Sequence, residues 1–149
     1  MVEVITKLVD QYQVDSGMLR LEITETALLE EQEKCDAIVS ELRRKGFLVE
    51  IDDFGKGNSS LSLLKEIKAD VLKIDMSMLS EIMDRERSRI ILQSVIRMGA
   101  SLGMEVITEG VETELQFQAL SEMGCSRFQG YYFSSPIPVP EFEARFSAR

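Results

Sequence analysis

Any chemistry in this chain has to rest on carboxylates and lysine, because histidine is absent altogether. Without imidazole there is no His general base and no His-ligated zinc. The acids that stand out are Asp52 and Asp53, adjacent at the end of VEIDD, with Glu22 in LRLEIT before them and Glu109 in EVITEG after them. Side chains of an extended segment alternate between two faces. That rule sets Val49 and Ile51 against Glu50 and Asp52, Leu21 and Ile23 against Arg20 and Glu22, Leu72 and Ile74 against Lys73 and Asp75, and Val106 and Thr108 against Glu105 and Glu109. One face therefore collects Arg20 and Lys73 with Glu22, Glu50, Asp52, Asp75, Glu105 and Glu109. Two basic groups cannot neutralise six acids, and unpaired buried carboxylates are costly. Such a face is either wetted or holds cations, and hard cations such as magnesium or manganese favour carboxylate oxygens.

Several readings stay open at this level. Adjacent acids such as Asp52 and Asp53 serve as metal ligands or as turn formers. Lys73, in mid-strand among acids, reads as a structural counter-ion or as a group that holds a phosphate or an attacking water. Gln129 in FQGYYF either fixes a ligand edge or closes an amide network. The loop FGKGNSS after Asp53 is neither a P-loop nor a dinucleotide fingerprint, since the order of its glycines and lysine is wrong for both. Met76, Met78 and the other methionines read as core filler.

The elements that must position these groups alternate in period. Apolar-rich segments at Leu19–Thr24, Phe47–Asp52, Asp70–Asp75, Met104–Thr108 and Arg127–Phe133 read as strands. Helical patterns fall over Val2–Tyr12, Leu28–Lys45, Ser59–Lys68, Glu86–Leu102, Glu112–Met123 and Pro140–Phe146, with Ser59 or Ser60 as an N-cap and Gly46, Gly103 and Gly124 as stops. Alternating helices and strands predict an α/β fold of parallel strands joined by crossover helices. Parallel sheets are normally buried on both faces, which is why a charged face needs a reason.

Composition narrows the partners. The chain has 149 residues, 17 basic and 26 acidic, for a net charge of −9. That balance argues against a nucleic-acid polymer as ligand. Length and a 44% apolar content suit a single globular domain. No apolar run reaches membrane-spanning length, and Met1 opens no signal segment. Cys35 and Cys125 have no motif spacing and read as buried free thiols in a reducing cytoplasm.

The segments LEITET (21–26), IDDFGKGNSSL (51–61), LKIDMSML (72–79), ITEGVET (107–113) and FQGYYFSSPIP (128–138) together resemble the EAL family of bacterial cyclic di-GMP phosphodiesterases. The resemblance implies a TIM-like (β/α) barrel with its site at the strand C-terminal ends. It implies two-metal hydrolysis of cyclic di-GMP to the linear dinucleotide, with Mg2+ or Mn2+. By the same resemblance Glu22, Asp52, Asp53 and Glu109 are metal ligands. Lys73, Glu109 and Gln129 contact or orient the attacking water. Glu25 steadies the loop after the acid pair, Glu112 stands behind the site, and Asp75 has a structural place. A two-metal centre of this kind would neutralise the acids and lower the pKa of a bound water.

This sequence also departs from the family. The Glu-Ala-Leu motif and the strand with a metal-binding Asn do not occur in it. Met76 stands where Arg is common, Glu50 where a small residue is usual, Thr108 where Ala is usual and Asn58 in a loop position often aromatic. A complete barrel takes about 250 residues. The expectation is therefore a partial barrel: residues 1–149 as the C-terminal portion of an EAL domain, with about five strands, exposed sheet edges that favour homo-oligomers, and little or no hydrolysis by itself. An upstream signalling or cyclase-like domain is expected in the parent protein. Two other classes stand beside this one. A non-catalytic EAL-like scaffold would bind nucleotide or protein without turnover. A phospho-acceptor receiver domain would place its acid pair after the first strand, whereas here Glu22 precedes it.

Overall fold

The structure, a computed structural model, describes residues 1–56, 61–80, 82 and 85–147, with the side chain of Gln32 left aside. In chain order the elements are α1 (Val2–Tyr12), β1 (Arg20–Thr24), α2 (Glu25–Glu30), α3 (Gln32–Arg44), β2 (Leu48–Phe54), α4 (Leu61–Glu66), β3 (Val71–Ile74), α5 (Glu86–Ser101), β4 (Glu105–Thr108), α6 (Glu114–Glu122), β5 (Arg127–Phe128) and α7 (Val139–Phe146). The five strands lie in sequence order, β1-β2-β3-β4-β5, and every pairing is parallel. This is the α/β arrangement expected from the alternation of periods. Among the described residues no helix is long and apolar enough to cross a membrane.

The alternation rule sorts the sheet into two faces. Val49, Ile51, Leu72, Ile74 and Val106 join one apolar core with Val39 and Leu42 of α3, Leu63 and Leu64 of α4, Leu92, Val95 and Ile96 of α5, and Leu120 of α6. Removal of this apolar surface from water is the main force holding the helices on the sheet. The opposite face is concave: an Arg20 nitrogen on β1 reaches 3.6 Å from a Glu105 oxygen on β4, across two intervening strands. Val71 is buried yet stands outside the core cluster, because it shares that concave face with the charges.

Several boundaries differ from the sequence reading. The helix expected over Leu28–Lys45 is two helices. Thr24 caps α2 directly at the end of β1, its hydroxyl accepting from the Ala27 amide at 3.4 Å, and Glu31 leaves helical geometry (φ −133°, ψ 50°) before α3 begins. The break leaves α2 at the strand end, with Glu25 buried. The strand expected over Arg127–Phe133 ends at Phe128. Its later aromatics turn onto α6 instead, with Phe128 and Tyr132 rings 5.0 and 5.7 Å from Phe117. Gly130 lies flush against the Val111 backbone, where a Cβ would collide with it. The helix placed at Glu112 begins at Glu114, because Thr113 and Gln116 form a reciprocal capping box. The proposed caps Ser59 and Ser60 lie outside the described residues.

The second strand carries another difference. It runs on to Phe54, and its pairing with β3 slips between Ile51 and Phe54, so that β2 holds one extra residue there. Asp53 takes up the slack at φ 58°, a left-handed conformation that Asp tolerates better than most. The bulge returns Phe54 to the core, 1% exposed, and separates the surroundings of the two adjacent acids.

Candidate active site

Lys73 sits mid-way along β3, a strand buried at every position, and points to the concave face. Its ammonium lies 2.7 Å from Glu22 Oε1 on β1, 3.0 Å from Asp52 Oδ1 on β2 and 2.9 Å from Glu109 Oε1 just beyond β4. The Lys73 side chain is 8% exposed, against 50% for Glu22. Burial pushes the ammonium's pKa down, but its contacts with Glu22, Glu109 and Asp52 outweigh that and hold it above the ordinary lysine value. Asp52 Oδ1 is buried and accepts no well-directed hydrogen bond; its 3.0 Å approach to Lys73 is an ion pair off the bonding axis.

Asp53 does not join this group. The bulge turns it to Lys56, whose ammonium donates to both its carboxylate oxygens at 3.1 Å. Glu25 is buried behind the loop, and its Oε2 accepts from the Gly55 amide at 3.2 Å. Asp75 caps the short helical turn Met76–Leu79 by accepting from the Ser77 amide at 2.9 Å. Burial raises its carboxyl, yet the bonds to Ser77 and the charge of Lys56 outweigh that and hold it below the usual range.

Beside Lys73's ring of acids opens a cleft of about 590 Å³, walled by Asp75, Met76, Glu109, Glu112, Gln129 and Tyr131 among others. Glu112 and Gln129 are exposed there. Backbone bonds from Gln129 to Thr108 and from Val111 to Gln129 hold that wall against β4. Gly110, at φ 70°, lets the chain pass so close to Met76 that a Cβ would strike it.

Below this cluster the concave face carries a second set of charges. Arg20 donates to Glu50 Oε1 at 3.0 Å and lies 3.6 Å from Glu105, while Arg127 Nε lies 2.6 Å from Glu105 Oε1. Arg127 is not among the charges that the alternation rule assigns to this face. Its spacing of two from Gln129 is the signal that would have placed it on this face.

The residues implied for a divalent metal are thus brought together only in part. The donor chemistry fits: Glu22, Asp52 and Glu109 offer hard oxygens, and Asp52 Oδ1 lacks a hydrogen bond. The arrangement is committed elsewhere, since among the described residues no three acidic or thiol groups stand ready to hold a metal. The three oxygens converge on the lysine instead.

The family model described as "EAL domain" matches residues 1–136. This chain belongs to the EAL domain family. Among its relatives is the cyclic di-GMP phosphodiesterase NbdA of Pseudomonas aeruginosa, 36% identical over 143 residues, an alignment covering 96% of this chain and 18% of NbdA. The crystal structure of the EAL domain of Mycobacterium smegmatis DcpA superposes with a TM-score of 0.90 at 35% identity, covering 98% of this chain and 66% of that one. Klebsiella pneumoniae BlrP1, solved with manganese and cyclic di-GMP, matches with a TM-score of 0.85 at 32% identity, over 91% of this chain and 34% of that one. The EAL chain accordingly spans less than a fifth of NbdA and about two thirds of the DcpA domain. The five parallel strands and their crossover helices are the portion it shares with these TIM-like barrels.

Proposed function

We propose that this EAL chain is the C-terminal part of a bacterial, cytoplasmic cyclic di-GMP phosphodiesterase domain that hydrolyses its substrate to the linear dinucleotide with Mg2+ or Mn2+. The observation that carries this reading is the convergence of Glu22, Asp52 and Glu109 on Lys73 at one end of a parallel sheet, beside an open cleft. Active sites of α/β folds lie at that end of the strands. When bound, the divalent ion supplies charge neutralisation at a phosphate and an activated water.

This chain's own residues set the stage for that chemistry. Glu22, Asp52, Asp53 and Glu109 are the acids proposed to take metal. Lys73, Glu109 and Gln129 are the groups proposed to face the attacking water. Glu25 and Asp75 hold the two loops around them through the Gly55 and Ser77 amides, and Glu112 stands at the cleft mouth. The strand edges at β1 and β5 are open to pairing with another chain, so self-association belongs to the proposal. A sensory or cyclase-like domain upstream in the parent protein would place this activity under control.

A second reading has an observation in its favour. With three carboxylates held by Lys73, the isolated chain has the character of a nucleotide- or protein-binding scaffold rather than an enzyme. Hydrolysis of cyclic di-GMP by the purified chain with Mg2+ or Mn2+, with Glu109→Gln as control, decides between them. Turnover abolished by that change establishes the enzyme. Nucleotide binding without turnover in a folded sample establishes the scaffold. Absence of both binding and turnover in a folded sample removes the scaffold and leaves the chain as the inactive part of a phosphodiesterase domain.

A further inference from the structure

We propose that Lys73 is the resident cation of this site: its ammonium gathers the acids in the metal-free chain and has to withdraw before a divalent ion enters. The inference rests on the reading of Glu22, Asp52 and Glu109 as metal-binding acids and adds what controls their availability.

The geometry points to competition rather than cooperation. One nitrogen lies within 3.0 Å of an oxygen on each of three carboxylates from three different strands or their ends. That nitrogen therefore occupies the point on which all three converge. A magnesium ion needs its oxygens at about 2.0–2.1 Å. It cannot share that point with an ammonium, and the oxygens must close in by most of an ångström once the ammonium leaves.

The electrostatics agree. Lys73 with its three acids carries a net charge of −2, which draws a divalent ion. While the ammonium stays, it repels that ion at contact range and holds one oxygen of each carboxylate. The lysine also has somewhere to go. It sits on a long flexible stem, and Glu22, its partner with the shortest contact, is half exposed. No other basic side chain reaches this ring among the described ion pairs: Arg20 is committed to Glu50 and Glu105, and Lys56 to Asp53. Removing one lysine therefore removes the competitor.

The test titrates Mn2+ into the whole 149-residue chain without nucleotide, reading free Mn2+ by electron paramagnetic resonance. Lys73→Met and Lys73→Gln should bind Mn2+ at least tenfold more tightly than the wild type, and adding Glu109→Gln to Lys73→Met should reverse most of that gain. In the wild type, Mg2+ should raise the acetylation of Lys73 by acetic anhydride relative to Lys65, which is 80% exposed. That second measurement needs no variant to fold. Equal or weaker Mn2+ binding by both variants overturns the proposal. So does the absence of Mn2+ binding in every form, or Lys73 labelling that stays level as metal saturates the chain. Failure of cyclic di-GMP hydrolysis alone, with tighter Mn2+ binding by the variants, removes the enzymatic reading and leaves this one standing.

Discussion

Arg20, Arg127, Glu50 and Glu105 match charge for charge on the lower part of the concave face, whereas a step farther along the same strands one lysine faces three carboxylates. Both sets are built by the same alternation and sit on the same curved sheet. The lower set balances its charge, two basic groups against two acids, although Glu105 Oε1, like Asp52 Oδ1, is buried without a well-directed hydrogen bond. The upper set carries an uncompensated charge of −2 beside a cleft. Ion pairs that balance are structural; an imbalance held in place by a fold invites a ligand.

The sharpest way to break the comparison is Lys73→Met. It leaves three carboxylates around a buried point with no counter-charge, so unfolding in urea with EDTA at neutral pH should show a loss of about 3–5 kcal/mol. Mn2+ should restore much of that loss by mass action. A loss below about 1 kcal/mol would mean that solvent already screens the acids.

The same pair of proteins yields a pH signature. Lys73's pKa is raised on folding above 10.5. Its contribution is therefore fully present below the unfolded value and fades as pH rises through the folded one. Wild type should lose stability above about pH 10.5 faster than Lys73→Met, so the gap between their urea midpoints should narrow there. A gap that stays constant with pH would show that the ammonium contributes nothing through its charge.

The lower set should respond more mildly and in a different pattern. Arg20→Met strands Glu50, whose side chain is 4% exposed, but Arg20 itself reaches water, so the cost is about 2 kcal/mol. The double change Arg20→Met with Glu50→Leu should recover to within about 1 kcal/mol of wild type, because an apolar pair replaces a paired charge. A double mutant as unstable as the single one would make the lower layer more than a balanced brace. Smallest of all is Lys56→Met. Its partner Asp53 is a surface contact, and the urea midpoint should not move measurably.

Much of this could be read without coordinates. The face pattern of LRLEIT, VEIDD and VLKID placed Glu22, Asp52 and Lys73 together, since strand alternation is local geometry. The parallel α/β order followed from alternating periods. What escaped was whatever depended on departures from regularity. The extra residue in β2 that sends Asp53 to Lys56 has no local signature in the acid pair itself. The early end of β5 depends on Phe117 being one helix away in sequence but adjacent in space. The split of the second helix depends on a Thr24 cap that the apolar pattern alone does not weigh against a longer helix.

Sequence alone determined which groups this protein can use: acids, one central lysine, no histidine, and a set of five motifs belonging to the EAL family. It also determined which face each group occupies, because a strand's period is a property of its own backbone. Only the tertiary structure decided who meets whom across strands. Sheet curvature brings β1 within reach of β3 and β4, gives Arg127 to Glu105, and sets one ammonium at the meeting point of three carboxylates. Those distances come from how whole strands stack and bend, and no run of neighbouring residues encodes them.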